Sequence, residues 1–181
     1  MLWSLLSEQI VTSEKQVVEV QLNRNLRSEI KVAAKCHFDL PVVVDVPKNL
    51  EDGTPFPTMF WLTCPMYIKK VSTLESHGMV KELDNQLNEN NKLYKLWSKR
   101  QKSYEKERNK KYKNIKNRIS PSGGVGGTLN SIKCLHSHLA DELVTGKNIV
   151  GQIVLENVGG CNCLEPCVVD GNKNKNWRSE W

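Results

Sequence analysis

Hydrophobic and polar residues follow two different periods along the chain, and each period predicts a different kind of element. Residues 30–34, 41–47 and 59–63 are short apolar runs, mostly rich in β-branched or aromatic side chains, and they predict strands. Ser13 and Gln16 have the spacing of a capping box, which predicts a short helix after Ser13. Pro65 comes just after the third run and suits the first turn of another helix, which Gly78 is expected to end.

The second half of the chain has a helical pattern. Apolar residues recur at helical spacing from 79 to about 118 and again from 132 to 144, on either side of a glycine-rich segment. We therefore predict an α+β (or α/β) fold, with a small mixed sheet of about three or four strands flanked by helices. Residues 13–158 are expected to form a single domain, between an N-terminal extension at 1–12 and a tail at 159–181 that is rich in Cys, Gly and Asn.

Positive charge is concentrated in one segment. The formal net charge is +6, and residues 92–118 contain twelve lysines and arginines but only two acids, Glu105 and Glu107. This segment predicts a protruding basic helix within a helical arm over about 79–118. Such a helix could contact an anionic partner, either a nucleic acid or an acidic protein. The alternative is a solvated, lysine-rich helix with no partner.

The cysteines bear on where the protein works. No stretch of the sequence is long and apolar enough to span a bilayer, and the first residues lack the basic region of a secretory signal. We therefore expect a cytoplasmic protein. In that compartment the six cysteines would serve as thiols or metal ligands rather than as disulfides.

Four of the cysteines supply the candidate chemistry. Cys36 and Cys64 each follow a predicted strand, so in a parallel or mixed sheet they would emerge at a common edge. Cys134 begins a predicted helix, whose positive end would lower the pKa of its thiol. A thiolate is both the better metal ligand and the better nucleophile, so this arrangement fits zinc, an iron–sulfur cluster or covalent chemistry. Cys161 and Cys163 lie in the tail and are expected to be incidental.

Two histidines close to Cys134 give two alternatives. On a helix, Cys134 and His138 share a face at i,i+4, whereas His136 points elsewhere. If the segment begins as a loop, Cys134 and His136 could instead reach the same metal. The sequence leaves both arrangements open.

Several segments form a distinctive set. They are residues 22–27 (L-N-R-N-L-R), 35–36 leading to 41–43, 50–65 (L-E-D-G-T-P-F-P-T-M-F-W-L-T-C-P), 74–75 with Gly78, 133–136 (K-C-L-H) and 166–168 (P-C-V). Together they resemble a bacterial family, domain-of-unknown-function family 501. The resemblance implies a bacterial, cytoplasmic protein with cysteines at the positions of Cys36, Cys64, Cys134 and Cys167, and it implies no particular reaction.

The first functional hypothesis is a metal-binding protein. Its ligands for zinc or an iron–sulfur cluster would be Cys36, Cys64, Cys134 and Cys167, with His136 as a further ligand or a close neighbour.

Two other hypotheses use different features of the chain. A thiol-dependent enzyme would use Cys134 as nucleophile and His136 or His138 as base, with Asp52 or Thr54 contacting the substrate. An interaction module would use the basic helix at 92–118 to bind nucleic acid or an acidic protein.

Overall fold

The computed structural model describes residues 13–46, 56, 58–112 and 122–177. Within these residues the chain forms six α-helices, a short 3₁₀ turn and five strands. In chain order they are α1 (Glu14–Leu22), β1 (Lys31–Lys35), β2 (Pro41–Asp45), β3 (Phe60–Leu62), α2 (Pro65–Ser76), α3 (Met79–Glu89), α4 (Asn91–Tyr112), the 3₁₀ turn (Val125–Gly127), α5 (Leu135–Thr145), α6 (Ile149–Val158), β4 (Val168–Val169) and β5 (Asn172–Lys173). The predicted α+β class is confirmed.

The main sheet has the order β1-β2-β3, and both pairings are antiparallel rather than mixed. The link between β1 and β2 covers only residues 36–40, which is too short for the crossover that a parallel pair needs. Because β2 lies between them, β1 and β3 run in the same direction. Their carboxyl ends therefore meet at one edge of the sheet, where Cys36 donates its N–H to Leu40 and Cys64 donates its N–H to Val42.

Helix α5 lies at the centre of the molecule, against the sheet on one side and α6 on another. Leu135 and Leu139 of α5 and Val150 and Val154 of α6 are fully buried in the main core. The two helices approach closely at Gly151, where an added Cβ would overlap the carbonyl of His138. Packing on both sides fixes the orientation of α5, and hence of the residues at its beginning.

The basic segment differs from its prediction in two respects. The helical pattern from 79 onward is divided at Asn90, whose backbone is extended (φ −113°, ψ 95°) and whose side-chain oxygen accepts from the N–H of Leu93. Helix α4 does not protrude over its described residues, because Trp97, Tyr104 and Arg108 bury one face of it against the body. Six of its lysines lie on the exposed faces; they are Lys92, Lys95, Lys99, Lys102, Lys106 and Lys110.

The tail folds back onto the domain. Strands β4 and β5 form a short hairpin that contacts α1, Val168 is buried, and Trp177 packs against the main core. The predicted N-terminal extension at 1–12 and the part of the basic arm at 113–118 lie outside the described residues. Among the helices that are described, none combines the length and the apolar character needed to cross a membrane.

Candidate metal centre

The beginning of α5 brings Cys134 and His136 to the same side. Cys134 is the N-cap of the helix and has an extended backbone (φ −147°, ψ 111°), so it is not on the helical spiral. The loop-like alternative for this segment is therefore the observed one. His138, one turn into α5, points into the core, where its Nδ1 lies 3.0 Å from Oδ1 of Asn148.

Glu75, in the last turn of α2, completes a group of three. Sulfur of Cys134, a ring nitrogen of His136 and a carboxylate oxygen of Glu75 all lie within 4.8 Å of one another. The carboxylate is held in place by α5, because its Oε1 accepts from the backbone N–H of Leu135 at 2.7 Å. The same oxygen lies 3.2 Å from Nδ1 of His136.

The second ring nitrogen of His136 faces the backbone of α2. Its Nε2 lies 3.2 Å from the carbonyl oxygen of Ile68 and 3.3 Å from the hydroxyl of Ser72. The side chains of His136 and Glu75 are 24% and 28% exposed, so a small ligand from solvent can reach a site that is otherwise enclosed.

Electrostatics favour charge separation within this group. Burial alone would raise the pKa of Cys134, but hydrogen bonds from His136 and Ser137 outweigh it and lower that pKa. For His136, burial acts to lower the pKa, but the hydrogen bond with Cys134 and the negative charge of Glu75 raise it to about 9. Both shifts act in the same direction, toward a thiolate beside an imidazolium.

The other predicted ligands lie elsewhere. Cys64 is the N-cap of α2, whereas Glu75 is in the last turn of that helix. Eleven residues of helix separate them by about 16 Å along the axis. The five ligands expected to share one metal therefore do not form one group: Cys134 and His136 come together, and Cys36, Cys64 and Cys167 do not join them. The substrate contacts suggested for Asp52 and Thr54 fall outside the described residues.

The remaining five cysteines gather near the carboxyl ends of β1 and β3; we call them the thiol group. Its members are Cys36, Cys64, Cys161, Cys163 and Cys167. The side chain of Cys161 acts on the pKa values of both Cys64 and Cys163, so these three thiols lie near one another. Cys36 is close enough to Cys163 and Cys167 to act on them electrostatically. Cys161 and Cys163 thus lie among the other cysteines at this end of the sheet, and the expectation that they are incidental stays a prediction.

Sequence reasoning also missed Glu75 as the third member of this group. On the sequence it is one polar position of an amphipathic helix, and only the matching segment at 74–75 could have drawn attention to it. The role of the tail cysteines carried no such signal, since it depends on the tail folding back over the end of the sheet.

The comparison with protein families bears on the whole domain. Residues 32–156 match a family described as a protein of unknown function, DUF501. Neither the search of curated proteins nor the search of solved structures found a match. The matched range contains Glu75, Cys134 and His136 and ends before Cys161, Cys163 and Cys167. Because the match spans most of the chain, the protein belongs to the DUF501 family, as the sequence motifs indicated.

Proposed function

We propose that the protein binds a zinc ion through Glu75, Cys134 and His136. The observation that carries the proposal is that one ligand atom from each of these side chains lies within 4.8 Å of the other two. Sulfur, imidazole nitrogen and carboxylate oxygen are the three ligand types that zinc takes in proteins. Three protein ligands leave a position for water or substrate, where a bound zinc ion supplies Lewis-acid chemistry.

The contacts around the three side chains suit this role. Metal-binding histidines usually donate their other ring N–H to a carbonyl or carboxylate. Nε2 of His136 has such a partner in the Ile68 carbonyl at 3.2 Å, which leaves Nδ1, beside Glu75, as the ligand nitrogen. The Leu135 N–H orients the Glu75 carboxylate in a similar way. The group contains a single cysteine, whereas iron–sulfur clusters are usually held by several, so zinc fits this site better.

Zinc affinity measured by competition with a chromophoric chelator tests the proposal. Cys134→Ala, His136→Ala and Glu75→Gln each remove one ligand. Their affinity should fall by more than the roughly 10–100-fold that is typical when only an outer hydrogen-bond partner is lost. His77→Ala and Glu82→Gln are matched controls, because both residues are exposed: His77 follows α2 directly, and Glu82 is in the first turn of α3.

The variant Cys161→Ala separates this site from the thiol group. Zinc binding should survive that substitution. Unchanged zinc affinity in both Cys134→Ala and His136→Ala, or a loss that follows Cys161→Ala instead, would contradict the proposal.

The closeness of Cys134 and His136, together with the lowered pKa of Cys134, favours a second candidate, a thiol-dependent enzyme with Cys134 as nucleophile and His136 as its partner. Because the pKa of Cys134 lies below the ordinary value of 9.0, more of this thiol is ionised at a given pH than in an ordinary cysteine. Alkylation of chelator-treated protein by iodoacetamide, followed across a pH series, should therefore show a midpoint for Cys134 below that value. A midpoint at or above the ordinary value would remove this candidate.

Two wider expectations accompany the proposal. A cytoplasmic location suits the six free thiols, since that compartment keeps thiols reduced.

An anionic partner for α4 would have to bind the exposed lysines, because Arg108 is buried. Its Nε lies 3.4 Å from Oδ1 of Asn109. A steep salt dependence of RNA or DNA binding, lost when Lys106 and Lys110 are neutralised, is the measurement that tests that partner.

A further inference from the structure

The exposed side of α4 carries a single row of lysines. Because an α-helix has 3.6 residues per turn, successive residues point about 100° apart around its axis. By this geometry, six exposed lysines all point into one sector of about 80°, and no other residue between 91 and 110 points into it. We call these six the lysine row; its members are Lys92, Lys95, Lys99, Lys102, Lys106 and Lys110.

The lysine row faces away from the body of the domain. Trp97, Tyr104 and Arg108 are buried, and they point to the opposite side of α4. At a rise of 1.5 Å per residue, the row extends for about 27 Å from Lys92 to Lys110. Because the buried face fixes the helix against the domain, the row is an ordered line of positive charge and not a set of charges on a flexible tail.

The two acids of α4 lie outside the row and have partners there. Glu105 and Glu107 each point about 60° or more beyond the edge of the row. A carboxylate oxygen of Glu107 lies 3.1 Å from Nη1 of Arg100. Oε1 of Glu105 accepts from the backbone N–H of Gly123 at 2.9 Å. The negative charge of the helix is therefore directed away from the lysine row.

A second segment adds positive charge near the middle of the row. Lys99 lines a cleft of about 410 Å³ between α4 and the start of α6, and Lys147 lines the same cleft from the link between α5 and α6. Glu142 also lines the cleft, where its carboxylate accepts from the backbone N–H of Asn148 at 2.6 Å. Lys147 thus widens the basic surface to one side of the row.

The composition of the row favours a nucleic acid over a protein as partner. Protein–protein interfaces are depleted of lysine, and their centres are apolar and rich in aromatic residues. Interfaces with nucleic acids are strongly positive, and lysine contacts with phosphates supply their sequence-independent affinity. Because every member of the row is a lysine, the row matches the second kind of interface.

The surroundings of the row favour a double helix over a single strand. Single strands are usually held by aromatic side chains on which their bases stack. Tyr94 is 46% exposed, but it points about 80° away from the nearest edge of the row, and its ring packs on that of Trp97 with the centroids 5.7 Å apart. A duplex has a phosphate about every 3.4 Å along each strand, so about eight of them fit the length of the row.

We propose that the lysine row, with Lys147 beside it, binds the phosphate backbone of double-stranded nucleic acid independently of base sequence. The proposal rests on the expectation that α4 has an anionic partner and names that partner; it does not depend on the zinc site. A lysine contacts a phosphate as a point charge, so DNA and RNA duplexes should both bind. Release of counterions should make that binding strongly dependent on salt.

Fluorescence anisotropy with labelled DNA and RNA duplexes of about 20 base pairs, at salt concentrations from about 50 to 200 mM, tests the proposal. For the wild-type protein, the logarithm of the affinity should fall linearly with the logarithm of the salt concentration. The triple variant Lys99→Gln, Lys102→Gln, Lys106→Gln should bind about tenfold or more weakly at low salt. Its salt slope should be smaller by about 0.9 for each phosphate contact that is lost.

A matched variant removes the same charge elsewhere on the surface. Lys31 of β1, Lys173 of β5 and Lys175 in the tail are exposed, and all three are replaced by Gln. Charges away from the interface are largely screened, so this variant should bind within about twofold of wild type. Cys134→Ala should also bind the duplex normally, which separates this test from that of the zinc site. Circular dichroism should confirm that each variant folds.

An equal loss of affinity in the two triple variants overturns the proposal, since net charge alone would then explain the binding. Wild-type binding in the row variant overturns it as well, as does tighter binding of a single strand than of the duplex. Polyglutamate that binds as tightly as the duplex, at equal concentration of charge, would leave α4 with an anionic partner and overturn nucleic acid as that partner.

Discussion

Cys64 and Cys134 occupy the same position relative to secondary structure, yet their chemistry differs. Each is the N-cap of a helix of at least eleven residues, and each has an extended backbone. The pKa of Cys64 is raised by its contact with the Cys161 thiol and by burial. The pKa of Cys134 is lowered because hydrogen bonds from His136 and Ser137 outweigh the effect of burial.

The difference teaches that the neighbouring side chain, more than the helix terminus, sets the behaviour of these thiols. A helix terminus contributes roughly 0.3–1 kcal/mol to a nearby charge, less than the 1.36 kcal/mol that corresponds to a shift of one pKa unit. An imidazole can carry the positive charge that a thiolate needs, whereas a second thiol can only share a proton. The difference in pKa between Cys64 and Cys134 therefore depends on α5, which holds His136 beside Cys134.

Arg100→Met tests that dependence with the largest expected effect. Arg100 donates to both carboxylate oxygens of Asp141, from Nε at 2.7 Å and from Nη2 at 2.6 Å, and both residues are buried. Removing one partner of a buried pair leaves the other charge unpaired and typically costs about 3–5 kcal/mol. We expect a loss of that size in the free energy of unfolding, measured by urea denaturation. The exposed Lys99→Met should stay within about 0.5 kcal/mol of wild type.

A loss below about 1 kcal/mol for Arg100→Met would mean that Asp141 finds other support, for instance from the amide of Asn148 at 2.9 Å. The orientation of α5 would then rest on its apolar packing alone.

Gly151→Ala tests the same support from the opposite side of α5. The added methyl group would overlap the carbonyl of His138 and the side chain of Glu142, and overpacking of this kind costs about 1–3 kcal/mol. The midpoint of thermal unfolding should fall accordingly. Gly160→Ala is the control, since nothing lies within 4 Å of a Cβ built there. Equal stability of the two variants would contradict the close approach of α5 and α6.

The sequence predicted only part of the structure that positions the candidate site. The local signals were sufficient for the capping box at Ser13, for Pro65 at the start of α2 and for Cys134 at the beginning of α5. Each depends on residues within one turn of chain, where backbone preferences act directly. The partners that decide the chemistry come from distant segments: Glu75 reaches Cys134 from α2, and Cys161 reaches Cys64 from the tail.

The basic segment at 92–118 is a second case in which a local property was predicted and the contacts with distant segments were not. Its charge predicted an exposed helix, and six lysines between 92 and 110 are indeed exposed. Burial of Arg100 and Arg108 depends on acceptors and packing that other segments supply, Asp141 of α5 being the acceptor for Arg100. Composition reports how much charge a segment carries, whereas tertiary packing decides which of its charged side chains remain in water.

His136→Gln tests the role of the neighbouring side chain directly. Glutamine keeps a polar group of similar reach and cannot carry a positive charge, so the pKa of Cys134 should rise, in the direction seen for Cys64. Alkylation of Cys134 by iodoacetamide at neutral pH, in chelator-treated protein, should slow by about tenfold, equivalent to one pKa unit. His77→Gln, at an exposed position beyond α2, should leave the rate unchanged. An unaltered rate in His136→Gln would assign the lowered pKa to the helix terminus instead.

His138 gives the smallest expected effect, a dependence of stability on pH. Complete burial lowers its pKa below the ordinary value of 6.5, and its Nε2 has no hydrogen-bond partner among the described residues. As the pH falls below 6.5, the unfolded chain takes up a proton at this residue while the folded chain does not, so the free energy of unfolding decreases. The slope from this one residue cannot exceed about 1.4 kcal/mol per pH unit.

Urea denaturation at several pH values between neutrality and mild acid measures that slope, and His138→Asn, which cannot titrate, should reduce it. Above pH 6.5 the contribution of His138 disappears, because both states are then neutral at this residue. A slope that is equally steep in His138→Asn would show that other groups, and not this buried histidine, make the domain sensitive to acid.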